Sequence, residues 1–138
     1  MIIMAVVGFN FIKINAERKP VIKGEIKINN NVSVKDVETH EIHLGKTKQE
    51  GLKVSFEFTS KYEPSVGEIK LLGEVIFLEE SRKIKEIHDA WKKDKKLPKE
   101  ILTSILNNVL GRCNIQAMVL SRDVNLPPPL PLPKVQSK

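Results

Sequence analysis

Residues 52–78 have the sequence LKVSFEFTSKYEPSVGEIKLLGEVIFL, and this stretch decides the fold. Apolar and polar residues alternate over 52–62, which is the period of a β-strand with one buried face. The run EPSVG at 63–67 predicts a turn, and residues 68–79 predict a second strand with a bulge at Gly73. Because the connection is so short, the two strands must be antiparallel.

The second of these strands carries apolar residues on both of its predicted faces. Leu72, Ile76 and Leu78 fall on the face opposite to that of Leu71 and Val75. A strand with apolar residues on both faces is typical of a sheet that is covered on both sides. The sequence therefore predicts burial on both sides of this strand.

Two stretches upstream also predict strands. Residues 5–18 form the first, and its alternation changes phase between Phe11 and Ile12, which indicates a bulge or bend to which Gly8 can contribute. Residues 21–44 predict either one long bent strand or two short ones.

The sequence NNN at 29–31 indicates a turn or bulge within the second stretch. Residues 45–51, which begin and end with glycine, predict a polar loop. The upstream half of the chain thus predicts an antiparallel sheet of about four strands.

The hydrophobic period changes to that of a helix at Ser81, which is a candidate N-cap. Ile84, Ile87 and Trp91 then recur at spacings of three and four, which predicts a short helix with Trp91 in the core. Pro98 suits the first position of a second, longer helix. That helix has an apolar stripe that consists of Leu102, Leu106, Val109, Cys113, Ala117, Leu120 and Val124.

The long helix needs two covering surfaces, because its apolar stripe is widened by further isoleucine, methionine and valine side chains. One surface is the sheet. The other is either a partner molecule or the proline-rich tail, and the sequence does not decide between them. Gly111 within this helix indicates an interior cost of about 1 kcal/mol, a break or a close contact.

The chain divides into an α+β domain over residues 1–125 and a proline-rich tail over 126–138. Five prolines within 127–133 favour an extended polyproline conformation. Leu130 and Leu132 alternate with them, which suits packing along a groove of this protein or of a partner. Recognition of the tail by an SH3-type domain is the weaker alternative.

Positive charge is concentrated in the predicted helices and tail. Residues 82–138 carry a net charge of +7 and residues 1–81 a net charge of −1. The excess is either a solvated lysine face or a contact surface for a polyanion, of which ribosomal RNA suits it better than a DNA duplex. The candidate phosphate contacts are Arg82, Lys83, Lys85, Lys92, Lys93, Lys95, Lys96, Lys99, Arg112 and Arg122.

The sequence contains no strong catalytic or metal-binding motif. The lone Cys113 fits a small buried side chain, and His40 and His43 would point to opposite faces of a strand. We therefore expect a protein without enzymatic activity, catalytic residues, cofactor, metal or small-molecule substrate. No apolar stretch is long enough to cross a membrane, no signal peptide is recognisable, and we expect a cytoplasmic location without membrane insertion.

The order of these elements resembles the SecB-like fold family. The resemblance covers most of the chain and includes FNFIKI at 9–14, GEVIFL at 73–78, the long helix over 98–123 and LPPPLPLP at 126–133. It implies four antiparallel strands, a short helix, a long helix and a tail that contains proline and leucine. The pattern is most similar to small archaeal SecB-like proteins, some of which are implied to be accessory ribosomal proteins.

The resemblance implies two roles. Bacterial SecB is an oligomeric chaperone in protein transport, whose acidic surface recruits SecA; the net charge of +6 departs from that pattern. The expected role is therefore an accessory protein of the archaeal large ribosomal subunit, with rRNA and ribosomal proteins as partners. The alternative is a free holdase that self-associates and binds unfolded polypeptides. Candidate protein-binding residues are Leu102, Leu106, Val109, Ala117, Leu120, Leu130 and Leu132.

Overall fold

The computed structural model describes residues 5–20 and 24–129. Its elements are β1 (Ala5–Arg18), β2 (Lys27–Leu44), β3 (Thr47–Glu63), β4 (Gly67–Leu78), α1 (Ser81–Asp94) and α2 (Lys99–Asp123). The strands form one antiparallel sheet in the order β1-β4-β3-β2. The predicted fold class, an antiparallel sheet followed by a short and a long helix, is confirmed.

The alternation that predicted β3 and β4 corresponds to the observed burial. Val54, Phe56 and Phe58 of β3 are buried, as are Leu71 and Val75 of β4. Both helices pack on this face of the sheet, α1 against β2 and β3 and α2 against β2, β3 and β4. The aliphatic and phenylalanine side chains between sheet and helices are therefore the hydrophobic core.

The opposite face of the sheet is more open than predicted. Leu72, Ile76 and Leu78 are only half-buried. Charged side chains share this face: Glu57 accepts from the Nζ atoms of Lys35 at 3.0 Å and Lys70 at 3.4 Å. The prediction of burial on both sides is wrong within this chain, because no described element covers this face.

The polar loop predicted for residues 45–51 is instead the end of a hairpin. The turn consists of Gly45, which has a positive φ of 64°, and Lys46. Residues 47–51 pair with the end of β2. The sequence did not predict this strand segment, because residues 47–50 are polar and mostly exposed and no alternation of apolar side chains marks them.

β2 is one long strand with a bulge at Lys35, where its register with β3 shifts between Val34 and Asp36. The bulge or turn predicted at residues 29–31 is wrong, since all three asparagines pair regularly with β3. Asn30 is fixed in the strand because its Oδ1 accepts a hydrogen bond from the buried Ser60 hydroxyl at 2.6 Å.

The register shift predicted in β1 is confirmed at Ile12, between Phe11 and Lys13, and a second shift lies between Val6 and Gly8. Gly73, predicted as a bulge, pairs regularly with Phe56 of β3. The bulge therefore lies in β1 and not at position 73. The glycine at position 73 is instead explained by close packing.

The helices begin close to the predicted positions. Ser81 is the first residue of α1 rather than its cap, because Glu80 occupies the N-cap position without a side-chain hydrogen bond. Pro98 is the N-cap of α2, and Lys99 is the first residue of the helix, where the sequence predicted Pro98. Gly111 lies in a continuous helix with no atom near its missing Cβ, so it is neither a break nor a close contact.

The buried face of α2 is rotated from the predicted stripe. Its buried side chains are those of Ile101, Ile105, Val109, Cys113, Ala117 and Ser121. Leu102, Leu106 and Leu120 flank this line and are half-buried. Burial raises the pKa of the Cys113 thiol to about 12, so this cysteine is inert at neutral pH.

The first residues of the tail pack against this protein's own sheet. Leu126 is buried, and the Tyr62 hydroxyl donates to the Pro127 carbonyl at 2.6 Å. The Asn30 amide nitrogen donates to the Pro129 carbonyl at 2.9 Å. This contact favours the interpretation that the tail covers part of its own body, while Leu130 and Leu132 lie outside the described residues.

Candidate functional site

An apolar groove runs between β2 and the start of α2. We call it the β2–α2 groove, and its volume is about 470 Å³. Strand β2 contributes Val32 and Val34, and α2 contributes Leu102 and Leu106. The full lining is Val32, Ser33, Val34, Trp91, Lys95, Lys96, Leu97, Lys99, Leu102 and Leu106.

Trp91 is the aromatic residue in the lining of the groove. Its indole is only 8% exposed, and its Nε1 donates to Asp36 Oδ1 at 3.3 Å. The bulge at Lys35 makes this contact available, because it shifts the register immediately before Asp36. The interpretation of Trp91 as a core residue is confirmed, and its indole also lines the groove.

The Asp36 carboxylate is ionised beside this apolar surface. Its partial burial opposes ionisation, but hydrogen bonding with the Val37 backbone N–H, the Glu38 carboxyl group and the Trp91 indole, together with the positive charge of Lys95, outweighs that effect. The net result is a pKa of Asp36 below its ordinary value. Asp36 therefore holds the indole in place as a stable anion at neutral pH.

The connection between α1 and α2 begins with a residue in the left-handed backbone conformation. Lys95 has a φ of 55°, and its backbone N–H donates to the Trp91 carbonyl at 2.8 Å. Its Nζ lies 5.5 Å from the centroid of the Trp91 ring, within the range of a cation–π interaction. The turn thus places a cation over the aromatic wall of the groove, and Leu97 follows as part of the lining.

The basic candidates from the sequence do not form one surface. Lys92, Lys93, Lys95, Lys96 and Lys99 gather at the junction of the two helices and are exposed. The other basic candidates lie at the start of α1 and along α2.

At the start of α1, Arg82 lies 4.0 Å from Glu86, and Lys83 and Lys85 lie in the same turns. Arg112 lies over the Phe9 ring of β1, 4.9 Å from its centroid. Arg122 is about 35 Å along α2 from Lys99 at 1.5 Å per residue. The ten candidates therefore do not form one cluster, and three of them, Lys95, Lys96 and Lys99, line the groove.

The apolar candidates also fall into two groups, those that line the groove and those that lie in the core. Leu102 and Leu106 line the groove, whereas Val109 and Ala117 have no exposed surface and contact only this chain. Both belong to the helix core, because the buried line of α2 passes through them. Leu120 packs against the core farther along α2.

The contribution of β2 to the groove was not recognised from the sequence. The signal was the spacing of its valines: Val32 and Val34 alternate, but Val37 follows after three residues and is buried. Such a break marks a bulge, and a bulge re-aims the neighbouring side chains. Together with a tryptophan predicted on α1, it pointed to this part of the sheet.

Other surface features carry less chemistry. A cleft near the turn of the β2–β3 hairpin is lined by His40, Glu41, Lys48 and Glu50, among others, and its walls are predominantly polar. Within the described ranges, no cluster of histidine, cysteine and carboxylate side chains has the geometry to hold a metal ion. Neither described helix combines the length and the hydropathy that crossing a membrane requires.

Comparison with known proteins gives a likeness at the level of structure. No family model matches the sequence, and no curated protein matches it. Among the solved structures that match is the Mycobacterium tuberculosis SecB-like chaperone Rv1957, in complex with a ChAD peptide from the Rv1956 HigA1 antitoxin. The TM-score is 0.53 and the sequence identity 11%, over 98% of this chain and 92% of that chain.

The chain has a SecB-like fold. At 11% identity the similarity concerns the fold alone. The arrangement of four antiparallel strands followed by two helices corresponds to the fold expected from the sequence. What this chain binds must be argued from its own side chains, in particular those of the β2–α2 groove.

Proposed function

We propose that this protein is a SecB-like polypeptide-binding protein without enzymatic activity, which holds extended apolar segments in the β2–α2 groove. The observation that carries the proposal is the groove itself. Val32, Val34, Leu97, Leu102 and Leu106 present apolar surface beside the indole of Trp91. Apolar side chains that remain open to solvent in a groove gain free energy when a partner's apolar side chains cover them.

The fold supports the same proposal. The similar solved structure is that of a SecB-like chaperone in complex with a peptide. Among the described residues of this chain, no group of histidine, cysteine and carboxylate side chains could hold a metal ion, and the one thiol is buried. We further propose that the protein acts in the cytoplasm, where a lone thiol stays reduced.

The direct test is suppression of aggregation. The purified protein is mixed with a chemically unfolded client at a stoichiometric ratio, and light scattering is followed after dilution of the denaturant. We expect the wild-type protein to reduce the scattering and Leu102→Asp to lose at least half of this effect, because a charge is placed in the groove. Thr103→Asp is the matched control, since it adds the same charge to the exposed neighbouring position of α2.

Two results would contradict the proposal. One is a wild-type protein that leaves aggregation unchanged at all ratios. The other is equal loss of activity in Leu102→Asp and Thr103→Asp while both variants keep the wild-type circular dichroism spectrum. The spectra are needed because Leu102 is half-buried and its substitution also affects packing.

A second candidate function is that of an accessory protein on the large ribosomal subunit. The observation that favours it is the net charge of +7 over residues 82–138, five of whose lysines gather at the helix junction. These lysines would contact rRNA phosphates, and the contact would weaken with salt. The test is co-sedimentation with large subunits from lysate of the protein's own host at low and high salt; absence from the subunit fraction at low salt would exclude it.

A further inference from the structure

We infer that the β2–α2 groove selects apolar segments that are flanked by acidic residues. The inference rests on the proposed function, because it assumes that the groove binds polypeptides, and it names the class of segment that is bound. Its basis is the rim of the groove. Lys95, Lys96 and Lys99 line the groove together with its apolar residues, and the lining includes no carboxylate.

The three rim lysines, Lys95, Lys96 and Lys99, form no salt bridge with any residue in the described ranges. All three side chains are exposed, and the salt bridges among the described residues involve other lysines and arginines. Asp36, the acidic group that faces Lys95, is already engaged by the Trp91 indole and the Val37 N–H. The rim therefore presents net positive charge to whatever enters the groove.

The position of Lys95 couples this charge to the apolar surface. Its Nζ lies 5.5 Å from the centroid of the Trp91 ring, and the left-handed conformation of its backbone fixes it at the end of α1. A segment that places an apolar side chain against Trp91 thus brings its neighbouring residue close to Lys95. A carboxylate at that neighbouring position gains an ion pair, whereas a lysine there meets like charge.

Two other occupants of the groove are conceivable, the chain's own tail and RNA, and neither complements both the charge and the apolar lining of the groove. The chain's own tail beyond Pro129 can reach the groove, because Asn30, which holds the Pro129 carbonyl, is two residues from Val32. Residues 130–138 contain two lysines and no acidic side chain, so they do not complement the rim. RNA complements the charge, but its phosphates leave the apolar lining of the groove unsatisfied.

The test uses three synthetic peptides of 12 residues with the same apolar centre. Their flanking residues are all glutamate, all glutamine or all lysine. Binding is measured at low and at moderate salt through the fluorescence of Trp91, which is the chain's single tryptophan and lines the groove. We expect the glutamate peptide to bind about tenfold more tightly than the lysine peptide at low salt, as weak surface ion pairs at three lysines allow. The difference should shrink with added salt.

Two triple variants identify the residues responsible. Lys95→Gln, Lys96→Gln and Lys99→Gln together should abolish the preference, so that the glutamate and lysine peptides bind with affinities within about twofold of each other. The matched control replaces Lys61, Lys83 and Lys85 by glutamine. It removes the same net charge from residues outside the groove lining and should keep the preference.

Each contrary result has one interpretation. If all three peptides bind equally, the inference is overturned and the proposed function remains; if none binds, the proposed function itself fails. A chain truncated after Pro129 that binds all three peptides equally would assign the preference to the tail, which overturns the inference. A 12-nucleotide RNA that displaces the glutamate peptide and binds more tightly would also overturn it.

Discussion

At residue 73 the sheet leaves no space for a side chain. A Cβ at Gly73 would lie 2.5 Å from the Asn10 carbonyl oxygen of β1 and 2.6 Å from the Phe56 ring of β3. Real Cβ atoms do not approach other atoms so closely, and neither neighbour can move freely inside the sheet. The glycine thus allows β1 and Phe56 to pack against the centre of β4.

Gly73→Ala should therefore reduce the free energy of unfolding by about 1–3 kcal/mol, as overpacking in a core does. Gly111→Ala is the matched control, because nothing lies near the missing Cβ of that helical glycine. It should instead raise the free energy of unfolding by about 0.5–1 kcal/mol through helix propensity. Urea unfolding of both variants measures the effects, and equal stability of the two would contradict this account of position 73.

The Asp36 carboxylate should make stability depend on pH. Its pKa is lower in the folded protein than its ordinary value of 3.8, so its stabilising effect is fully present above that value. The effect is lost as the pH falls through the lower, folded-state pKa. Asp36→Asn should cost about 1–2 kcal/mol at pH 7 and less at pH 3, since the asparagine oxygen accepts the same hydrogen bonds without the negative charge that strengthens them.

Urea unfolding at both pH values measures this dependence. Glu25→Gln is the control, because it removes a carboxylate from an exposed position. A cost of Asp36→Asn that is the same at pH 3 and pH 7 would show that the charge of Asp36 has no role in holding Trp91.

Among the elements, the beginning of the tail is bound by specific contacts. Gly67 leaves room for the Leu126 side chain, whose methyl carbons lie 3.1 and 3.3 Å from the position of a Cβ. The Tyr62 hydroxyl and the Asn30 amide each donate to a tail carbonyl. Burial raises the pKa of Tyr62, so its hydroxyl remains a donor across the neutral range.

Tyr62→Phe should reduce the free energy of unfolding by about 1 kcal/mol, because the Pro127 carbonyl loses its donor. The same substitution in a chain that ends at Asn125 should cost close to nothing. This double-mutant comparison, made by urea unfolding, isolates the bond to the tail. A cost that is equal in the full and the shortened chain would assign the effect of Tyr62 to the core alone.

How well each element was predicted depended on whether one of its faces lies in the core. β3 over 52–62, β4 and α1 were predictable because each has one face in the core, so burial imposes a period on the sequence. Residues 47–51 were not, because this segment has no apolar side chain on either face. The buried face of α2 was misjudged because leucines flank it on one side, and side chains at half-buried positions are as apolar as those in the core.

The groove was only partly predictable for a related reason. Leu102, Leu106 and the lysines of the helix junction were identified from the sequence, but their partners on β2 are distant in the chain. The bulge at Lys35 sets which side chains of β2 face the helices, and no local rule fixes a one-residue shift of register. The pairing of Trp91 with Asp36 depends on that shift and could not be inferred from either residue.

At the scale of the whole molecule, β1 is an edge strand with apolar side chains in solvent. In the described sheet it pairs on one side, with β4. Val7, Ile12 and Ile14 are 50%, 67% and 47% exposed. An exposed apolar edge strand is a template for pairing with another chain, so self-association through β1 is expected.

Multi-angle light scattering should therefore give a mass of at least a dimer at micromolar concentration. Ile12→Lys should shift the protein toward the monomer, because a charge on an edge strand opposes pairing. Thr39→Lys, at an exposed position of β2, is the control for added charge. A wild-type protein that is monomeric at all concentrations tested would contradict the prediction.

The central claim is that the β2–α2 groove binds apolar polypeptide segments, and Trp91 reports on it directly. The measurement is a titration of the protein's tryptophan fluorescence with an apolar peptide that contains no tryptophan. We predict a saturable change of emission that is lost in Leu106→Asp and retained in Asn107→Asp, whose exposed side chain lies outside the groove lining. An unchanged emission in the wild-type protein while an independent method detects peptide binding would place the binding site elsewhere and contradict the claim.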